Sequence, residues 1–323
     1  MQANSRAQAG RTQLDAYKDE LSKFANYVDD VDLKKYQVDN VSHKVKGALD
    51  YFDKIEDIFF GEKSDYQGSE IPLNRIKEDF RIRKHEMTVW TGYKGHGKSA
   101  LLSQCLLAFM NAGQKVFVIS PEFIPEMVLE RMIYQRTQAR DVTADDIGNF
   151  FFLAKETLWL YDNQASLKPD DVIALCRYAA IELKVDHIVI DSLMKCGIKS
   201  DDFNHQKAFV DQVQSIPHQY PLHLHLVAHA RKGDSDRSPP RLHDIKGASE
   251  IGDMVENVVT VWRNKNKELA PDDHADEPDA IFTVEAQRNA KGWIGSVSLY
   301  FDPNSMLFYE PGNAPERASY VKF

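Results

Sequence analysis

The sequence predicts an α/β fold with a mostly parallel, twisted sheet and helices on both of its faces. Beyond about residue 70, short β-prone runs alternate with segments whose apolar residues recur at helical spacing. A glycine-rich turn lies between the first such strand and helix. The 323 residues suffice for one large core with an appendage. Functional side chains are therefore expected at the carboxyl ends of the strands.

The chain is predicted to divide near residue 70. Residues 1–70 form a helical segment in this interpretation, because residues 13–65 are densely charged and carry apolar residues at helical intervals. The polar stretch at residues 62–69 contains Gly68 and is typical of a linker. Residues 71–312 are predicted to form the α/β domain, and residues 313–323 a C-terminal tail.

Eight β-prone runs account for the predicted sheet. Each is short, apolar and rich in β-branched or aromatic residues, as buried strands are. The runs are Met87–Thr91, Lys115–Ser120, Leu158–Tyr161, His187–Asp191, Leu222–Ala228, Val258–Trp262, Ile281–Ala286 and Ser296–Phe301.

The first strand leads into a phosphate-binding loop. Gly92 is followed by four residues and then by Gly97, Lys98 and Ser99, which is the P-loop spacing. Such a loop turns its backbone N–H groups around phosphates, its lysine adds a positive charge, and its serine offers a hydroxyl to Mg²⁺. The predicted nucleotide-binding residues are Gly92, Gly95, Gly97, Lys98, Ser99 and Ala100.

Polar residues end three further strands. Glu122 follows the second strand and can polarise a water that attacks a γ-phosphate, or it can be an ordinary acid at a helix N-terminus. Asp191 ends a strand as a magnesium-holding aspartate does, although a turn or cap has the same pattern. His229 can sense a phosphate by hydrogen bonding.

Composition excludes several classes of protein. Three widely spaced cysteines indicate neither a disulfide framework nor a zinc site, and they favour an intracellular setting. No apolar run reaches the eighteen or so residues that span a membrane. A net charge of −9 argues against a protein coated in nucleic acid, but a locally basic channel stays compatible with it. His223 and His225 share a strand face and are expected to pack there rather than to bind a metal.

The ordered motifs resemble the helicase domain of the DnaB-type, RecA-like hexameric replicative helicases, above all the phage primase-helicases and mitochondrial Twinkle. The resemblance covers residues 70–311. Besides the P-loop, its motifs are Pro72–Ile76, Glu86–Val89, Glu122, Asp191, His229, Asp244–Ala248 and Gln287–Asn289 with Gly292 and Gly295.

This resemblance implies a role for each motif. Glu122 falls on the family's catalytic glutamate, Asp191 on its magnesium-holding aspartate, and His229 on the residue that senses the γ-phosphate. Arg288 falls on the arginine finger, which reaches the active site of a neighbouring subunit. The implied cofactors are Mg²⁺ and ATP, a dNTP or another NTP.

The resemblance also implies partners. They are single-stranded DNA, a forked duplex, further copies of the chain in a hexameric ring, and a primase or polymerase. Residues 1–70 are expected to pack on a neighbouring subunit, as the family's linker helix does. The connection after His229 is the favoured DNA contact because it is rich in cations, although charge-rich loops are often only solvated. The predicted contacts are Arg231, Lys232, Lys246 and Gly247.

One departure from the family concerns the second cation of the finger motif. The family usually places a lysine two residues before the finger, and this chain has Ala286 there, with Lys291 as a possible substitute. Residues 1–70 lack the zinc cysteines and acidic cluster of a primase, so no primase activity is predicted. Two alternatives remain: a RecA-like or KaiC-like ATPase ring or filament that does not unwind DNA, and a nucleotide-binding accessory protein with negligible turnover.

Overall fold

The computed structural model describes residues 32–37, 48–52, 68–163, 167–199, 201–231, 236–241, 244, 250–289 and 292–316. Most of the predicted N-terminal helical segment and linker therefore lie outside the described residues. Within residues 1–70 the described elements are two 3₁₀ helices, Leu33–Tyr36 and Ala48–Tyr51, and the first strand. The first 3₁₀ helix packs on the domain, because Arg177 donates a 3.1 Å hydrogen bond to the Tyr36 carbonyl.

Eleven strands are present in the described residues. They are β1 (Ser69–Glu70), β2 (Arg81–Ile82), β3 (Met87–Thr91), β4 (Val116–Ile119), β5 (Leu158–Tyr161), β6 (His187–Asp191), β7 (His223–Val227), β8 (Asn257–Arg263), β9 (Ala280–Gln287), β10 (Gly295–Asp302) and β11 (Leu307–Tyr309). All eight predicted strands are confirmed to within a residue or two at their ends.

The main sheet has nine strands in the order β11-β10-β9-β8-β3-β7-β6-β4-β5. The pairs from β8 through β3, β7, β6 and β4 to β5 are parallel. The last three strands are added antiparallel, β9 to β8, β10 to β9 and β11 to β10, and such pairs need no crossover helix. The predicted fold class is confirmed, and β1 and β2 form a separate two-stranded ribbon.

Seven α-helices connect or flank the strands in the described part of the chain. They are α1 (Lys98–Asn111), α2 (Pro125–Thr137), α3 (Ala144–Ala154), α4 (Pro169–Tyr178), α5 (Phe203–Gln219), α6 (Ile251–Met254) and α7 (Lys265–Leu269). None of the described helices is long and apolar enough to cross a membrane.

The sheet has a separate hydrophobic core on each face. Val116 and Val118 of β4 pack with α1, α2 and α3, whereas Phe117 and Ile119 pack with α4 and α5. This alternation follows from the period of two residues in a strand. A parallel sheet covered on both faces must be apolar on both, which explains why its central strands are continuous apolar runs.

Three buried histidines cluster at the amino edge of the sheet, where His187 and His225 are hydrogen-bonded to each other and His223 contacts both rings. Trp90 donates its indole N–H to His225 Nδ1 at 3.1 Å, so His225 Nε2 carries a proton and donates to His187 Nδ1 at 3.2 Å. His187 Nε2 then faces the Gln114 amide oxygen at 3.2 Å. His223 lies between the Arg83 carbonyl at 2.5 Å and the Thr88 hydroxyl at 2.9 Å. The hydrogen bonds thus keep His187 and His225 neutral, and burial keeps His223 neutral. The expectation that His223 and His225 pack in the core agrees with the geometry.

We expect acid to destabilise the protein through this cluster. Burial lowers the pKa of His223 to about 4 and holds those of His187 and His225 well below their ordinary range. The unfolded chain therefore binds more protons below pH 6.5, and stability falls as pH falls. Between pH 7.5 and 5.5 each histidine should lower the free energy of unfolding by about 1.4 kcal/mol.

Urea unfolding at the two pH values measures this loss. His187→Gln should remove about one third of the cluster's contribution to this pH dependence. An equal pH dependence in wild type and His187→Gln would contradict the assignment.

Candidate functional site

The sheet order brings four predicted functional strand ends together. Strands β3, β7, β6 and β4 are consecutive neighbours and all parallel. The P-loop after β3, His229 after β7, Asp191 at the end of β6 and Glu122 after β4 therefore lie along one edge of the sheet. These strands are far apart in sequence, so only their pairing makes a single site of them.

The P-loop backbone has the shape that its glycines permit. Gly92 has φ +147, and a Cβ there would lie 2.3 Å from the Val261 carbonyl oxygen of β8. Gly97 has φ +90 and would place a Cβ 2.5 Å from the Phe308 ring. Side chains are excluded at both positions, which explains why the phosphate-binding spacing needs glycine there.

Lys98 lies inside the loop that it follows. Its side-chain ammonium donates hydrogen bonds of 2.9 Å to the carbonyls of Gly92 and Tyr93. Burial lowers its pKa to about 8, although the nearby carboxylates of Asp191 and Glu122 oppose this shift. The ammonium is therefore positioned for a phosphate, and its charge is easier to remove than that of a lysine in water.

We expect nucleotide affinity to fall above pH 8. Only the protonated lysine attracts phosphate, so the Kd for a nucleotide should rise toward tenfold per pH unit once Lys98 loses its proton. Fluorescent-nucleotide titration between pH 7 and 10 measures this. Lys98→Arg is the matched control, because a guanidinium stays charged and should flatten the profile whatever its absolute affinity. A wild-type affinity that is constant up to pH 10 would contradict the lowered pKa.

Ser99 and Asp191 form the magnesium-type pair of the site. The Ser99 hydroxyl donates to Asp191 Oδ2 at 2.6 Å, and burial raises the pKa of Asp191 against the effect of this bond. A hydroxyl and a carboxylate are hard oxygen ligands, which is the donor set that Mg²⁺ prefers while keeping waters of its own. The two residues therefore fit a magnesium ion next to the phosphates. Among the described residues, no group of three His, Cys, Asp or Glu side chains forms a protein-only metal site.

Glu122 is held by two partners from neighbouring strand ends. Ser192 donates its hydroxyl to Glu122 Oε1 at 2.6 Å, and His229 Nε2 lies 3.5 Å from the same oxygen. The hydrogen bond from His229 is the main reason that the pKa of Glu122 falls to about 2, with Ser192 adding to it and partial burial opposing it. The carboxylate is therefore ionised at neutral pH and fixed in place, which suits a group that orients and polarises water.

Two buried polar atoms beside this carboxylate have no hydrogen-bond partner in the described protein. They are Nδ1 of His229 and Nε of Arg131, a residue of α2. The Arg131 guanidinium lies 5.5 Å from the centre of the Phe123 ring, and its charge acts on Asp191. Buried groups of this kind normally bind something, so both have capacity left for a ligand or its waters.

A cavity of about 420 Å³ opens beside the P-loop. Its lining includes Gly95, Gly97 and Ala100 on one side, and Phe301, Pro303, Phe308, Arg263 and Lys267 around the rest. The size and the mainly apolar wall suit the base and sugar of a nucleotide whose phosphates lie in the loop. A cavity of about 560 Å³ between α1 and β11 contains none of the predicted site residues.

The predicted DNA contacts are only partly described. Arg231 is exposed, closely follows β7, and lies 5.9 Å from the Phe203 ring. The preceding residue, Ala230, donates its N–H to the Gly92 carbonyl at 2.9 Å, so this connection begins against the P-loop. Lys232, Lys246 and Gly247 lie outside the described residues.

Arg288 lies at the opposite edge of the sheet from the P-loop. It follows β9, whose Gln287 pairs with Asn257, and Asn257 pairs with Thr88 near the start of β3. Its guanidinium donates to the carbonyls of Asp253, at 2.5 Å, and Met254. Arg288 is therefore near the level of Thr88, whereas the P-loop begins after Thr91. These two threonines are about 10 Å apart at roughly 3.3 Å per residue, so Arg288 does not reach the P-loop of its own chain. Lys291 lies outside the described residues.

Comparison with protein families adds an independent observation. Residues 62–235, more than half of the chain, match the model of the AAA domain family. The chain belongs to the AAA domain family. The matched range of this AAA domain contains the P-loop, Glu122, Asp191 and His229.

Solved structures resemble the AAA domain beyond that range. One of them, a structure of an isolated ATPase domain, superposes with a TM-score of 0.65 at 14% identity, covering 82% of this chain and 99% of that chain. A DnaB-like replicative helicase, solved for its interactions with primase, gives a TM-score of 0.64 at 12% identity and covers 96% of this chain and 76% of that one. The resemblance to DnaB-type helicases is thereby confirmed for the fold.

Sequence reasoning missed two members of this site. Ser192 directly follows Asp191, and its position next to the predicted magnesium-holding aspartate could have marked it as a site residue. Arg131 lies in the helix after Glu122, and nothing local distinguishes it from a surface arginine.

Proposed function

We propose that this AAA domain is the NTP-hydrolysing motor of a replicative DNA helicase, which moves along single-stranded DNA and unwinds the duplex ahead. The observation that carries the proposal is the convergence of Lys98, Ser99, Glu122 and Asp191 at one sheet edge. The likeness in fold to a solved ATPase domain and to a DnaB-like replicative helicase supports the choice of helicase among P-loop proteins.

The geometry supports hydrolysis of a nucleotide by direct attack of water. The P-loop amides and Lys98 would hold the phosphates, and Ser99 and Asp191 would hold Mg²⁺, which would neutralise part of the phosphate charge. Glu122 orients the water whose oxygen bonds to the γ-phosphorus as the bond to the bridging β-γ oxygen breaks, and the proton that this water loses passes to the released phosphate. In this proposal His229 responds to loss of the γ-phosphate, and its Nε2 lying 3.5 Å from Glu122 Oε1 supports that role. The groups named here would contact the phosphates and the magnesium ion and not the base. ATP, a dNTP or another NTP therefore fits this scheme.

The active site is shared between subunits in this proposal. A transition state for phosphoryl transfer is stabilised by a delivered guanidinium, and Arg288 is too far from its own P-loop to supply one. A closed ring, with six copies as the resemblance implies, brings Arg288 of each copy to the next copy's nucleotide. Residues 1–70 would pack on the neighbouring copy, except for the 3₁₀ helix Leu33–Tyr36, which lies against the domain of its own chain. Residues 71–312 form the motor, and residues 313–323 a tail.

The connection after β7 is the proposed DNA contact, with Arg231, Lys232, Lys246 and Gly247 as its members. Arg231 supports this choice because it is exposed and follows the strand that carries His229 at its end. Single-stranded DNA is gripped by cations along its backbone. For a helicase of this kind the substrate is a forked duplex. The expected protein partner, inside the cell, is a primase or polymerase.

Arg231→Ala should weaken binding of single-stranded DNA and reduce its salt dependence by about one unit of slope, because one phosphate contact is lost. Fluorescence anisotropy of labelled oligo-dT at several salt concentrations measures both quantities. Lys77→Ala is the control, since Lys77 is also exposed but lies on the chain segment before β2. Unchanged affinity and slope in Arg231→Ala would move the contact to the connection after Asp191, where Lys195 and Lys199 lie.

The deciding experiment measures nucleotide hydrolysis with and without single-stranded DNA, on a sample of known mass in solution, together with strand displacement from a forked duplex. DNA-stimulated hydrolysis by a ring that displaces strands supports the proposal. Stimulated hydrolysis without displacement would favour a RecA-like or KaiC-like ATPase. Negligible turnover with DNA present would favour a nucleotide-binding accessory protein.

A further inference from the structure

The P-loop contains a buried histidine that the mechanism above does not use. The His96 ring is fully buried, lies edge-on to Tyr93 with ring centres 5.2 Å apart, and accepts the backbone N–H of Arg263 on Nδ1 at 3.0 Å. Burial and the cation of Lys265 lower its pKa to about 4, so the ring is neutral. Since Nδ1 is an acceptor, the proton of the neutral ring is on Nε2.

The Nε2–H of His96 has no hydrogen-bond partner among the described residues. The nearest carboxylate oxygen is Asp236 Oδ2, at 3.8 Å. That is about 1 Å too long for a hydrogen bond, and a buried donor without an acceptor is unfavourable. A small approach of the two side chains would make a hydrogen bond to a charged acceptor, which is the stronger kind.

Asp236 is itself held in place from β8 and α7. The Lys265 ammonium donates to Asp236 Oδ2 at 2.5 Å, and the Trp262 indole N–H donates to the Asp236 backbone carbonyl at 3.0 Å. The carboxylate therefore faces His96 with its charge compensated and its position fixed from the other side.

Asp236 belongs to the same β7–β8 connection as Arg231. This connection also contacts the P-loop at its start, where Ala230 donates to the Gly92 carbonyl and packs in a small buried cluster with Tyr93 and Trp262. The connection thus meets the P-loop at two places, at Ala230 and at Asp236. A shift of the loop or of the connection therefore changes the distance between His96 and Asp236.

We propose that His96 and Asp236 are positioning residues that couple the nucleotide state of the P-loop to the β7–β8 connection. The separation of 3.8 Å shortens to a hydrogen bond when nucleotide and DNA are both bound. Nucleotide bound at the P-loop and DNA bound at the connection both favour the short contact. Because coupling between two sites is reciprocal, each ligand therefore tightens binding of the other. The inference rests on the proposed function, since it takes DNA as the ligand of the connection.

Paired substitutions at His96 separate its two nitrogens. His96→Asn keeps an acceptor where Nδ1 is but lacks the donor that reaches Asp236, whereas His96→Gln keeps a donor at the place of Nε2. Asp236→Ala removes the acceptor. Asp273→Ala is the charge-matched control, at an exposed acid of the β8–β9 connection.

The measurement is the Kd of a fluorescent, non-hydrolysable ATP analogue with and without saturating oligo-dT, on full-length protein whose unfolding temperature has been recorded. In wild type we expect DNA to tighten nucleotide binding by about fivefold or more. His96→Asn and Asp236→Ala should bring this ratio close to one, while His96→Gln and Asp273→Ala keep it. If Asp236→Ala fails to fold, the two His96 variants decide.

Wild-type coupling that persists in both His96→Asn and Asp236→Ala overturns the inference, as does a ratio of one in the wild type. Failure of the proposed function looks different, because the wild-type protein would then bind no oligo-dT or hydrolyse no nucleotide. An equal loss of coupling in His96→Gln and His96→Asn would also overturn the inference. Coupling would then depend on the imidazole ring as a whole and not on its Nε2–H donor.

Discussion

Arg288→Ala should bind nucleotide and assemble like wild type but lose turnover by about 10³-fold or more, the loss expected when a finger arginine is removed. The transition state for γ-phosphoryl transfer spreads negative charge over its oxygens, and Lys98 alone leaves part of it uncompensated. Arg288 follows β9 at the sheet edge opposite the P-loop of its own chain, so the proposed shared site has another copy supply this charge. Steady-state phosphate release, with mass in solution, measures both properties.

Mixing experiments test whether the arginine acts in trans. Arg288→Ala mixed with Glu122→Gln should regain part of the activity, because some interfaces then join an intact Glu122 to an intact Arg288. Arg75→Ala, at an exposed arginine in the segment before β2, is the matched control and should hydrolyse normally. Substantial turnover by Arg288→Ala alone, or by protein kept monomeric by dilution, would contradict a shared site. With Ala286 two residues before it, no lysine at that position compensates for the loss.

Glu122→Gln should lower turnover by about 10²-fold or more while nucleotide affinity stays close to wild type. Glutamine can still accept the hydrogen bond from Ser192, so the strand end keeps its shape, but the negative charge that polarises water is lost. Because the pKa of Glu122 is about 2, wild-type turnover should show no loss from protonation of this group between pH 5 and 8.

Single-turnover hydrolysis and equilibrium nucleotide binding separate the two effects of this substitution. Glu126→Gln is the control, since Glu126 is exposed on the first turn of α2 and makes the same change of charge one turn away. Loss of nucleotide binding in Glu122→Gln would assign Glu122 a structural role. Retained turnover would show that another group orients the water.

The sequence alone determined the fold class and the eight main strands, and it proposed the positions of the candidate site residues along the chain. This was possible because strand and helix periodicity, glycine at positions of positive φ, and charged residues at the ends of apolar runs are local signals. Gly92, Lys98 and Ser99 were predicted from their spacing, whereas Glu122 and Asp191 were candidates by their places at strand ends and took their roles from the family resemblance.

Only the tertiary structure decided which of these residues meet. The order β3-β7-β6-β4 set Asp191 against Ser99 and His229 against Glu122, and this order depends on pairing between strands distant in sequence. Pairing of β8 with β3 and of β9 with β8 placed Arg288 at the far edge, and contacts with Trp262 and Lys265 hold Asp236 near His96. Such contacts depend on how the whole chain packs around the two cores. Short segments of sequence carry no information about this packing.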